Sequence, residues 1–219
     1  MHADYHHDWG TPEPWATWLR YVTKGIDTDP CTADHHQDRI QAPVSYYHSG
    51  LERPWFGTVY VNGPGENSSG AMAPWWDRAM AYLNGEPEEL AGICDHWFDS
   101  KVLPCRHCDA CHGALIKTHH KALEMLPEPD ADPVRSIVWC LFNPEHQRCL
   151  KPSVWTIPGL LVMPGSRVGF HQGTGPVKKS PRNWAQWWLS KDAIRRWTDP
   201  PTPCEFVETG IGLPTWLPR

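Results

Sequence analysis

Twelve residues, Trp55-Phe56-Gly57-Thr58-Val59-Tyr60-Val61-Asn62-Gly63-Pro64-Gly65-Glu66, constrain the fold of this chain most. From Thr58 to Val61 two residues are valine and the others are threonine and tyrosine, a composition that suits a short β-strand. The strand stops at Asn62-Gly63-Pro64-Gly65. Two glycines permit positive φ and the proline donates no hydrogen bond, so the chain must turn. Asn62 is thereby expected at the carboxyl end of a strand, where open α/β sheets bind ligands. Its side-chain carbonyl and the Gly63 backbone carbonyl can accept both hydrogens of one amino group. The same residues also make an ordinary turn with no chemistry.

A chain of 219 residues is long enough for one domain carrying a sizeable insertion. Its net charge of −5 gives no global attraction for nucleic acid, so a DNA-binding surface must be a local patch. The 14 Trp residues suit either flat surfaces for bases or core filling, and for any single Trp the core is favoured. There is no run of about 18 apolar residues to span a membrane. Met1 to Asp8 holds no apolar segment, so no secretory signal is read there and a cytoplasmic location is expected. The eight Cys are then expected to be reduced or metal-bound.

Along the chain, Thr11 is expected to cap a helix running from Pro12 to about Thr23, with Trp15, Trp18, Leu19 and Val22 at helical spacing. Gly25-Ile26-Asp27-Thr28-Asp29-Pro30 reads as a short strand presenting Asp27 and Asp29 at its carboxyl end. In nucleoside-cofactor folds such an acid accepts hydrogen bonds from ribose hydroxyls. Pro74 to Leu83 is predicted helical. Residues 84–135 change character and read as an inserted, Cys-rich subdomain. Ser136 to Phe142 is a continuous apolar run, the pattern of a buried parallel strand. Leu160 to Pro164 and Trp184 to Leu189 are further predicted strands. Between them Lys178, Lys179 and Arg182 lie in a basic, glycine-bearing loop suited to phosphates, or simply to solvent. Residues 200–219 read as an irregular Pro-rich tail.

The order Trp9-Gly10-Thr11-Pro12, Ile26-Asp27-Thr28-Asp29, Gly50-Leu51, Pro54-Trp55-x-Gly57, Val59-Tyr60-Val61-Asn62-x-Pro64 resembles the phage-type DNA N6-adenine methyltransferases. Those proteins carry a W-x-T-P start, a strand ending in aspartate, a G-L…W-x-G approach and a strand ending in N-P-P-Y. Leu161 to Phe170 is similar to their late segment ending G-R-[IV]-x-F. The resemblance spans roughly residues 9–83 and 136–190. It implies an α/β fold with a Rossmann-like class I methyltransferase sheet over 1–83 and 136–199, S-adenosylmethionine as cofactor and DNA as partner, in a host cell's cytoplasm if phage-encoded. It implies that Asn62, Gly63, Pro64 and Gly65 form the amino-group site and that Thr11, Asp27 and Asp29 contact the cofactor. Here N-P-P-Y is Asn62-Gly63-Pro64-Gly65, so the family's stacking ring is replaced by Gly65, and Trp75 and Trp76 are the nearest candidates to supply one. The rival readings are a non-catalytic DNA-binding relative and an enzyme acting on a different base amino group.

Within 84–135, Cys105-x2-Cys108-x2-Cys111 places three thiols in seven residues, and Cys94 precedes them. Four thiolates suit tetrahedral Zn²⁺, and the metal would stabilise a segment with little apolar content. His107 or His112 could replace one thiol. The triple spacing also occurs in iron–sulfur proteins, and plain thiols are the third reading. Elemental analysis decides: zinc, iron with visible absorbance, or no metal. Cys31, Cys140 and Cys204 are expected to be ordinary thiols.

Overall fold

The computed structural model describes residues 9–32, 37–46, 50–51, 53–63, 69–85, 134–141, 150–172, 177–178 and 185–210. In chain order these form β1 (Trp9–Gly10), α1 (Glu13–Thr23), β2 (Thr28–Asp29), α2 (Gln37–Ile40), β3 (Val44–Ser45), β4 (Thr58–Val61), α3 (Ser69–Leu83), β5 (Ser136–Leu141), β6 (Gly159–Pro164), β7 (Phe170–Gln172), β8 (Val177–Lys178), β9 (Gln186–Ser190) and β10 (Cys204–Thr209).

Seven strands make one mixed sheet in the order β10-β6-β9-β5-β4-β2-β3. β3, β2, β4 and β5 run parallel, whereas β9 is antiparallel to both β5 and β6, and β10 is antiparallel to β6. The apolar run at Ser136–Leu141 is therefore parallel to its neighbour on one side only. β1, β7 and β8 form a separate small antiparallel sheet.

Strand alternation sends side chains to two cores. One face gathers Tyr60, Val138, Cys140, Leu160, Val162, Trp187 and Leu189 under the apolar stripe of α1. The other gathers Val59, Val61, Ile137, Trp139, Leu161 and Trp188 under Met72, Trp76, Ala79 and Met80 of α3. The chain is thus an α/β sandwich with helices on both faces of the sheet. Seven tryptophans, Trp15, Trp18, Trp55, Trp76, Trp139, Trp187 and Trp188, are buried. Each can remove about 150–250 Å² from water, worth about 4–6 kcal/mol as an upper bound, so core filling accounts for half of the unusual Trp content.

Two expectations change. α3 begins at Ser69 and carries Pro74 inside it. The segment expected to be an irregular tail contains β10, six residues paired with β6 from Cys204↔Pro164 to Thr209↔Gly159. Pro203 lies just before that ladder, where its missing N–H costs nothing, and its carbonyl accepts the Gly165 N–H at 2.8 Å. β10 is an edge strand, and exposed Glu205 and Glu208 discourage further strand pairing there.

Candidate active site

β2 pairs with β3 on one side and β4 on the other, all parallel, with Thr28 opposite Val59. The chain leaves β2 for the sheet edge and returns across it to β4. Such a reversal opens a crevice at the carboxyl ends of the two strands. Asp29 ends β2 and Asn62 follows β4, so the two meet at this crevice.

Asp29 is buried, and its Oδ1 accepts the Cys31 backbone N–H at 3.1 Å. Burial pushes its carboxyl up to about 7, although the hydrogen bonds from Cys31 and the Thr32 hydroxyl favour the charged form. The Cys31 thiol is raised well above its usual range by burial and then by the neighbouring Asp29 charge, against a hydrogen bond from the Asn62 backbone N–H. Cys31 therefore ties the tip of β4 to the turn after β2. Gly63 packs tightly on α3: a Cβ there would meet Met72 Sδ and Cε at 3.1 Å and the Trp75 ring at 3.8 Å. Trp75 is half-buried and lies near-parallel to Trp55, at 17° and 6.5 Å between ring centres. Trp76 is fully buried and donates its indole N–H to the Pro152 carbonyl at 2.8 Å. Of the two candidate rings, Trp75 is the one beside the Asn62–Gly63 tip.

Beneath the crevice lies a second buried polar group. The Thr11 and Tyr60 hydroxyls are hydrogen-bonded to each other. Burial, then the nearby Cys140, pushes the Tyr60 phenol well up, so it is neutral at ordinary pH. The Trp187 indole N–H is buried without an acceptor in good geometry, and it faces the Tyr60 oxygen. Thr11 does not cap α1 as expected: Pro12 occupies that position and no side chain caps the helix. The Thr11 hydroxyl instead holds the segment before α1 against β4.

Asp27 is not at this crevice. Its Oδ2 accepts the Thr58 N–H at 2.7 Å and its own N–H donates to the Thr58 carbonyl at 2.8 Å, at the amino end of β4. The expected pair of carboxylates is thus divided between the two edges, because the strand is only two residues long and Asp27 precedes it. Gly57 makes the contact possible: it has φ of +56°, and a Cβ there would lie 2.1 Å from Asp27 Oδ2. Gly57→Ala is expected to destabilise the fold by about 1–3 kcal/mol, seen as a lower urea midpoint at unchanged slope. A wild-type midpoint would show that the carboxylate yields without cost.

Pro64, Gly65, Lys179 and Arg182 lie outside the described residues, as do Cys94, Cys105, Cys108 and Cys111; Lys178 lies in β8. Among the described residues no group of three or more His, Cys, Asp or Glu could hold a metal ion, and no helix is long and apolar enough to cross a membrane. Cys31, Cys140 and Cys204 are free thiols.

No family model, curated protein or solved structure matches this chain.

Sequence reading assigns no site role to Thr32 or Tyr60, and it expects Cys31 to be an ordinary thiol. Cys31 and Thr32 follow Asp29 across Pro30, and an Asp-Pro pair at a strand end is a signal for such a turn. Tyr60 could be singled out only once its neighbours on the sheet were known.

Proposed function

We propose that this chain is an S-adenosylmethionine-dependent methyltransferase of Rossmann-like class I type, acting on an exocyclic amino group of a DNA base, with adenine N6 as the default target. The observation that carries the reading is the meeting of Asp29 and Asn62 at the ends of neighbouring parallel strands, joined through Cys31. The donor set fits the cofactor in part. Asp29 has about four acceptor positions, and Cys31 and Thr32 use two of them, which leaves acceptors for a ribose diol. Thr11, bonded to Tyr60, would form the wall of that pocket rather than a direct contact.

S-adenosylmethionine, when bound, supplies an electrophilic methyl group. Asn62 would accept one amino hydrogen through its side-chain carbonyl and Gly63 the other through its backbone carbonyl. Those two acceptors orient the nitrogen lone pair and stabilise the positive charge that develops on nitrogen, which is catalysis by positioning and fixed dipoles. A base must leave the duplex to reach them. Trp75 would offer it a stacking face worth about 1–3 kcal/mol, in place of the ring that Gly65 lacks.

Incubation with labelled S-adenosylmethionine and unmodified DNA, followed by nucleoside mass spectrometry, is expected to yield N6-methyldeoxyadenosine. Label on cytosine would reassign the target. No label on any nucleoside would favour a non-catalytic DNA-binding relative, the reading that the Asn-Gly-Pro-Gly tip keeps open.

A further inference from the structure

Four cations converge at the opposite end of the sheet. α1 ends at Thr23, and Lys24 closes it in a left-handed conformation. The segment after β9 crosses this end of the helix. The Arg195 and Arg196 backbone N–H groups both donate to the Val22 carbonyl, at 2.8 and 3.1 Å, and the Lys191 N–H donates to the Pro158 carbonyl at 3.0 Å. Lys24, Lys191, Arg195 and Arg196 are all exposed, in a chain whose net charge is −5. Arg20 is paired with Glu13, and none of these four cations forms an ion pair with another described residue. Exposed Asp192 and Asp199 lie in the same segment, and the cations outnumber them.

Two of these side chains are held in place. Arg195 Nε donates to the Asp192 carbonyl at 2.9 Å. Arg196 Nε donates to the Tyr21 carbonyl, and its guanidinium lies 3.7 Å from the centre of the exposed Tyr21 ring. Anchoring Nε reduces rotamer freedom before any partner arrives and leaves both terminal nitrogens of each fork for a phosphate.

We propose that this surface binds the phosphodiester backbone of nucleic acid. Repeating phosphates match an open array of cations around a flat ring better than a single free phosphate, which would call for a closed cavity. Strands of four to six residues separate it from Asn62, a distance of roughly 15–20 Å. The surface would therefore hold a stretch of backbone away from any reacting base, and it does not depend on the methyltransferase reading.

Fluorescence anisotropy with a short labelled DNA duplex, without S-adenosylmethionine, tests this. The variant K24Q/K191Q/R195Q/R196Q is expected to bind at least about 10-fold more weakly. Its log affinity against log salt should flatten by about 3.6, since each of the four lost phosphate contacts removes about 0.9 from the slope. Circular dichroism checks its folding. R195K/R196K keeps the charge but loses the forks, so it should bind between the two and decides the matter if the first variant misfolds. Wild-type affinity and slope in both variants would overturn the proposal, as would inorganic phosphate or anionic lipid vesicles outcompeting the duplex at equal phosphate concentration. A surface that passes these tests on a protein transferring no methyl group leaves this inference standing and removes only the methyltransferase reading.

Discussion

Asp29→Asn is expected to melt above the wild type at pH 8. The folded protein holds the Asp29 carboxyl at about 7, whereas an unfolded aspartate titrates near its ordinary value of 3.8. Between those values the folded chain keeps a proton that the unfolded chain has lost, so stability falls as pH rises and is lowest above 7. A shift of this size corresponds to about 4 kcal/mol at one pKa unit per 1.36 kcal/mol, an upper figure because local relaxation lessens it. Asparagine is never charged, and its carbonyl can still accept the Cys31 N–H. At about 2–4 °C per kcal/mol for a chain of this size, the variant should gain about 5–10 °C at pH 8. The gain should shrink steadily towards pH 4. Thermal melts across this range would refute the burial argument if the two proteins melted together at pH 8. The same substitution should weaken S-adenosylmethionine binding about 5- to 100-fold, by loss of a charged acceptor. A residue whose removal stabilises the fold while impairing binding belongs to a working site. Calorimetry showing unchanged cofactor affinity would leave Asp29 as a structural carboxyl.

Asn62→Ala is expected to lower methyl transfer by at least about 10²-fold, the scale for removing one fixed polar group aimed at a transition state. Cofactor affinity should change by less than about two-fold, because the side chain would contact the acceptor amine. The fold should be unaffected: the link to Cys31 runs through the Asn62 backbone N–H, which alanine retains. Turnover at wild-type rate would reduce Asn62-Gly63-Pro64-Gly65 to a turn. A matched loss of cofactor binding and turnover would instead move Asn62 into the cofactor pocket.

Local pattern was sufficient for the elements whose stability is mostly local. Trp15, Trp18, Leu19 and Val22 recur at helical spacing, and α1 runs from Glu13 to Thr23 with all four buried. Val and aromatic density marked β4 and β5, and both strands are buried along their whole length. The break after Val61 placed Asn62 at a strand end because glycine and proline act on their own backbone. β10 escaped notice because its order depends on pairing with β6, some forty residues earlier in the chain.

The candidate site divides the same way. That Asn62 and Asp29 sit at strand ends could be read from composition alone. That they are neighbours, and that Asp27 serves the other edge, depends on the parallel pairing of β2 with β4. Thr11 meets Tyr60 across 49 residues and Asp27 meets Thr58 across 31. Contacts of this separation leave no periodic imprint on the chain, because each partner's sequence neighbourhood looks the same whether or not the other arrives. Only the order and direction of the strands, set by burying both faces of the sheet at once, decided which polar groups were brought together.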